Sequence, residues 1–136
     1  MTTSDHDTLT HDQLRVLAEW MGRRPLKGWE EYSSTPITDT YCSDKNDNIG
    51  WHGMDAPGVF TPWRPHERWE QAGMLLEEAR AKGWVGQHTW GPHRSVVRLW
   101  KYGDKDLIES AVMGEDDHPC CAHCLAVLAL IEGEHD

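Results

Sequence analysis

Residues 65–102 set the narrowest limits on the fold. In "PHERWEQAGMLLEEARAKG", Trp69, Ala72, Leu76 and Ala79 recur at helical spacing. Gly83 is a natural left-handed helix end, and Arg80 and Lys82 suit the negative pole of the last turn. Three segments follow, "WVGQHTW", "RSVVRLWKY" and "DLIESAVM", parted by the turn formers "GPH" and "GDK". They predict an antiparallel meander directly after the helix. The third segment has helical propensity as well.

The rest of the chain supplies elements around this unit. "LTHDQLRVLAEWMGRRP" predicts a first helix. Thr10 and Gln13 form a capping box, in which a hydroxyl takes one free amide hydrogen and a side-chain amide reaches back. Leu14, Leu17 and Met21 share a face, Gly22 ends the helix and Pro25 forbids its continuation. "PITDTYCSDKNDNIGWHGM" predicts two short strands around the polar turn "SDKNDN". "DAPGVFTPWRP" reads as a loop, because Pro and Gly punctuate it. A last helix is expected from Pro119 to Ile131, with Pro at its first position and Glu115, Asp116 and Asp117 at its positive end. The order α-β-β-α-β-β-β-α predicts one α+β domain over 1–136, about three helices covering an antiparallel sheet, with flexible ends at 1–8 and 132–136.

Composition narrows the partners. Hydrophobic residues are 38 % of the 136, below the usual figure of about 45–50 %. Eight tryptophans offset this, since each large aromatic buries much area. Trp69, Trp84, Trp90 and Trp100 are expected in the core. Net charge is −10, which argues against direct nucleic-acid or anionic-lipid binding and permits docking on a basic protein surface. The acidic, polar start does not look like a signal peptide. The longest apolar run, "LAVLALI", falls short of the roughly 20 residues that span a bilayer. Four cysteines, three of them within one short stretch, predict reduced thiols in a cytoplasmic setting.

That stretch, "HPCCAHC" at 118–124, is the densest piece of chemistry in the chain. Cys120, Cys121, Cys124 and His118 could approach a zinc ion from one helix start. A structural zinc needs four ligands, usually in two Cys or His pairs. A second pair is missing, although Cys42, His52 or His88 could contribute. Cys121 with Cys124 could form a redox pair at a helix N-terminus, but the strand-helix-strand context of thioredoxin-like proteins is absent. The plain alternative is a helix start whose small residues pack inward. "DKNDNIGWHGMD" imitates a calcium loop at Asp44, Asn46 and Asn48, yet Ile49 stands where glycine is needed and Asp55 where glutamate is. Neither a phosphate loop nor a nucleophile elbow is present, and no cofactor is expected.

One segment offers partner anchors. Trp29, Trp51 and Trp63 lie in or beside loops, where tryptophans serve as interface hot spots. Glu30, Glu31, Asp44, Asp47 and Asp55 stand near them and could steer a basic partner. Two functions compete. One is a non-enzymatic protein that binds a host protein with a basic surface. The other is a pocket of tryptophans and histidines for a nucleotide or nucleotide-derived signal.

The stretch "FTPWRPHERWEQAGMLLEEARAKGW", the strands after it, an acidic loop and "AHCLAVLALI" resemble the phage ABA-sandwich family, small proteins encoded by bacteriophages and prophages. Lys82, Gly83 and Trp84 match its first landmark. Ala122, Cys124, Ala126 and Leu128 match its closing helix, and "LTHDQLRVLAEWMG" resembles its first one. The resemblance covers most of the chain and rests mainly on structural residues. It implies that Cys124 packs toward the sheet as a small apolar residue. His118, Cys120, Cys121 and His123 depart from the family pattern. No activity, cofactor or catalytic residue comes with the resemblance. The function it suits is a cytoplasmic, phage-encoded accessory protein that inhibits a host defence or nucleic-acid-handling factor.

Overall fold

The computed structural model describes residues 9–26, 40–43, 46–53, 59–101 and 111–135. Its element order is α1 (His11–Trp20), β1 (Arg24–Pro25), β2 (Thr40–Ser43), β3 (Ile49–His52), β4 (Phe60–Pro62), α2 (Trp69–Ala81), β5 (Trp84–Trp90), β6 (Ser95–Lys101), β7 (Val112–Asp116) and α3 (Pro119–His135). The class is α+β, with two antiparallel-rich sheets of four and three strands. The chain forms two compact units, Thr10–Arg64 and Met1–Leu9 with Pro65–Asp136.

In the unit Thr10–Arg64, the capping box forms as the sequence requires. The Gln13 amide donates to the Thr10 hydroxyl at 3.1 Å, and the Thr10 amide donates to the Gln13 side chain at 2.9 Å. Met21 caps the other end, and Gly22 turns the chain away at φ 84°. The sheet order is β1-β2-β3-β4. β1 runs parallel to β2, and the other pairs are antiparallel. β1 and β4 add two strands where the sequence predicts a helix exit and a loop. At two and three residues they are too short to show an alternating pattern. Tyr41 pairs with Trp51 across β2 and β3. Leu14, Leu17, Ala18, Tyr41, Cys42, Ile49, Trp51 and Trp63 are buried. Gly50 is required here, because a Cβ would overlap the Thr61 carbonyl and the Phe60 ring.

In the unit that holds Pro65–Asp136, α2 lacks a side-chain cap at Arg68 and ends at Lys82 and Gly83 (φ 93°). Its inward residues are Gln71, Ala72, Leu75 and Ala79. This corrects half of the expected stripe: Ala72 and Ala79 face inward, but Trp69 is exposed and Leu76 only half-buried, and Gln71 and Leu75 take their places. β5 and β6 form the expected hairpin, closed where the Gly91 amide donates to the Arg94 carbonyl at 2.8 Å. β7 begins at Val112, later than expected, and takes in Glu115 and Asp116. Those acids belong to the strand rather than to a loop before α3.

Strand alternation places Ser95, Val97 and Leu99 of β6 on one face of this sheet, together with their partners in both neighbours. α3 packs on β7 and β6, and α2 packs on α3. Gly114 permits the approach of α3. A Cβ there would overlap the backbone of Ala122 and Ala126. α3 is buried through most of its length, from Cys120 to Ile131.

Candidate functional site

The candidate site lies in the second unit, where α2, the β5–β6 hairpin and the start of α3 meet. Trp69 begins α2 and Trp90 ends β5. Both were expected in the core. Instead Trp69 is 55 % exposed and Trp90 is 74 % exposed. Each sits at an element end, where neighbours thin out and an indole can stay in water. With His88, Ser95, Asp117 and Pro119 they line an open cleft of about 430 Å³.

His88 reaches this cleft because its register partner is Val97, so its side chain falls on the helix-covered face. There it meets His123 of α3, with ring centroids 4.7 Å apart and edge to face. Trp69 lies 5.6 Å from His123 and 6.4 Å from His88. His123 is anchored through Nδ1, which donates to the Pro119 carbonyl at 2.7 Å. Because a carbonyl only accepts, the proton is on Nδ1 in the neutral ring. Burial pushes the His123 pKa down; the Pro119 hydrogen bond opposes this and His88 adds to it. His123 is therefore a neutral aromatic wall rather than a cation.

The acids at the cleft differ in their engagement. Asp116 accepts the His118 amide at 2.9 Å, and His118 Nδ1 accepts the Cys120 amide at 3.2 Å. Together they cap α3. Asp117 is exposed and has no ion pair among the described residues. Ser95 and His88 line the same cleft, but no hydrogen bond joins them, so they are not a paired nucleophile and base. A second cleft of about 390 Å³ runs between α2 and β5, past Leu76, Arg80, Trp84, Leu99 and His123, and shares His88 with the first. Trp84 Nε1 and His88 Nε2 are buried without a hydrogen-bond partner among the described residues.

The residues expected to anchor a partner fall elsewhere. Trp51 is a strand residue of β3 at 0 % exposure, and Trp63 follows β4 at 1 %. The expectation that they stand on a surface is corrected. Their rings meet at 4.8 Å, the Arg23 guanidinium lies 5.2 Å over Trp51, and Trp63 donates to the Leu14 carbonyl. Neither can serve as an anchor without unfolding its surroundings. Asp47 is exposed in a left-handed turn at φ 63°. Trp29, Glu30, Glu31, Asp44 and Asp55 lie outside the described residues.

Cys120, Cys121 and Cys124 are free, buried thiols in the first turns of α3. Burial raises the Cys124 pKa well above the ordinary thiol value, and Cys121 and Cys120 add to it. Cys120 is raised by burial first and by Glu70 second. Cys120 and Cys124 are protonated packing groups, not poised thiolates. With His118 engaged as a cap, no group of three or more His, Cys, Asp or Glu among the described residues is arranged to hold a metal. No helix among the described residues is long and apolar enough to cross a membrane.

Sequence reasoning missed Trp69, Trp90, His88, His123 and Asp117 as a group. Trp90 carried one usable signal: it ends its strand directly before Gly91 and Pro92, at a hairpin tip. No protein-family model matches the chain, and neither the curated proteins nor the solved structures contain a significant match to it.

Proposed function

We propose that this protein acts by occupancy, binding a host protein with a basic surface through the Trp69–Trp90 cleft. The observation that carries this reading is the pair of exposed indoles at one cleft in a chain of net charge −10. Exposed tryptophans beside a concavity are the side chains that most often dominate protein interfaces. An acidic chain raises the encounter rate with a basic partner. On this reading the chain is a phage-encoded accessory protein of the ABA-sandwich kind, working in the host cytoplasm. Its target is a host defence or nucleic-acid-handling factor, whose nucleic-acid face is basic by necessity. It carries out no turnover.

The test is capture from bacterial lysate at low and moderate salt, with the retained protein identified. Trp69→Ala and Trp90→Ala together abolish capture without loss of fold, since both side chains are largely in water. Moderate salt weakens capture of the parent protein. Capture that survives the double substitution removes this surface from consideration.

A second reading has its own support. The α2–β5 cleft holds the ring nitrogens of Trp84 and His88, which have no hydrogen-bond partner among the described residues and which a nucleotide-derived ligand could satisfy. A rise in melting temperature with nucleotides, lost in Trp84→Phe, distinguishes this reading from the first.

A further inference from the structure

We propose that the Trp69–Trp90 cleft is a receptor for a single arginine side chain, whose guanidinium lies on an indole face and reaches the Asp117 carboxylate. This names the chemistry recognised at the surface put forward above and rests on that reading.

Three observations lead there. First, the walls are aromatic: Trp69 and Trp90 are exposed, and His88 stands 6.4 Å from Trp69. The face of an indole attracts cations by its quadrupole. Second, the charge lining the cleft is negative. Among the described residues, Asp117 has no ion pair and no lysine or arginine lines the cleft. Glu70 follows Trp69 in the chain and acts electrostatically on Cys120, in the first turn of α3. Its carboxylate therefore adds to the field beside the cleft.

Third, the feature that would draw an anion is already engaged. The start of α3 at Pro119 borders the cleft, and helix starts bind anions through free amide hydrogens. Here the His118 amide is held by Asp116 and the Cys120 amide by His118 Nδ1. The acids Asp116 and Asp117 also oppose the positive helix end. What remains is aromatic surface beside an unpaired carboxylate.

Among cations, guanidinium fits this arrangement better than ammonium. It is planar and weakly hydrated, so it stacks on an indole while its edge donates in a fork to a carboxylate. An ammonium is a compact, strongly hydrated charge and cannot make both contacts with one plane. A nucleic-acid-binding partner displays such arginines on the surface that it uses for phosphate.

The experiment follows indole N–H resonances of the full chain during titration with a short capped glycine peptide bearing one central arginine. The same peptide with citrulline removes the charge at constant shape, and one with lysine tests the plane. The Trp69 and Trp90 signals shift saturably with the arginine peptide, while those of Trp51 and Trp63 stay still. Citrulline and lysine bind at least about tenfold more weakly, a difference of about 1.4 kcal/mol. Asp117→Asn and Trp90→Ala each weaken the arginine peptide about tenfold.

Equal binding of citrulline, or undiminished arginine binding in both variants, overturns the proposal. Equal binding of lysine overturns the guanidinium assignment, and shifts of the same signals by inorganic phosphate overturn the sign of the site. Should Trp90→Ala unfold, Asp117→Asn decides alone, because it changes charge at an exposed position with little change of shape. The two readings fail separately. Capture lost in the tryptophan variants, with no arginine binding, retires the arginine assignment only. Capture intact in those variants, with arginine bound at the cleft, retires the partner surface only.

Discussion

The imidazoles of His88 and His123 meet edge to face with centroids 4.7 Å apart, one on an edge strand and the other in the closing helix. The contact ties β5 to α3, and the His123 ring is fixed in one tautomer by its hydrogen bond to the Pro119 carbonyl.

Stability therefore falls as the solution is acidified. Burial holds the His123 pKa below its ordinary value of 6.5 in the folded chain, with His88 acting the same way and the Pro119 hydrogen bond in opposition. Well above 6.5 both the folded and unfolded forms are neutral, and His123 contributes no pH dependence. As pH drops below 6.5 the unfolded chain takes the proton first, so folding free energy is lost progressively until the folded pKa is reached. Denaturant titrations between pH 7.5 and 5 measure the slope. His123→Leu reduces it, and an unchanged slope assigns the loss to other groups.

Trp63 is a second strong constraint, within the unit Thr10–Arg64. Its indole donates to the Leu14 carbonyl at 3.0 Å, tying the end of the sheet to α1. Trp63→Ala removes a fully buried ring and costs about 3–5 kcal/mol. Trp63→Phe keeps much of the apolar area and loses the hydrogen bond, for about 1 kcal/mol plus a packing defect. Equilibrium unfolding of the two variants ranks them. Equal costs would mean that the hydrogen bond contributes more than the ring.

Local signals were the legible ones. The Thr10–Gln13 cap, the Gly83 helix end and the β5–β6 hairpin each depend on a few adjacent residues, and all three form as read. Placement that depends on distant contacts was not legible. The α2 pattern admits a stripe through Trp69 and Leu76 or one through Gln71 and Leu75; packing on α3 selects the second and buries a glutamine. β7 contains Gly114 because α3 comes against it there, while local propensity favours the segment before it. The tryptophans inverted for the same reason. Residue type marks Trp51, Trp63, Trp69 and Trp90 alike as large and apolar. Their place in the fold separates them: Trp51 and Trp63 lie in and beside strands of one unit, while Trp69 and Trp90 stand at element ends of the other.

Two glycines give opposite results on substitution by alanine. At Gly114 a Cβ would overlap the Ala122 and Ala126 backbone. Gly114→Ala forces α3 off the sheet and costs about 1–3 kcal/mol or more. Gly73 sits inside α2 with nothing within 4 Å of an added Cβ. Gly73→Ala removes the entropic penalty of glycine in a helix and stabilises by about 0.5–1 kcal/mol. Thermal melts of both variants test the packing of α3 and the orientation of α2 at once. A destabilised Gly73→Ala would mean that this face of α2 is covered.

The cysteine cluster behaves as packing rather than chemistry. All four cysteines are free and buried, and the Cys124 thiol is held protonated by burial, then by Cys121 and Cys120. A thiol reagent such as dithionitrobenzoate attacks thiolate and needs access, so the folded chain reacts slowly at mildly alkaline pH. Reaction becomes rapid and complete for all four once denaturant is added. Cys120 and Cys121, although they depart from the family pattern, are buried as fully as Cys124. Each single change to serine therefore costs about 1–3 kcal/mol, because each buries a hydroxyl with few partners beyond a helix carbonyl. A fast-reacting thiol in the native chain, lost in Cys120→Ser, would show that the start of α3 opens and would return this cluster to the list of reactive sites.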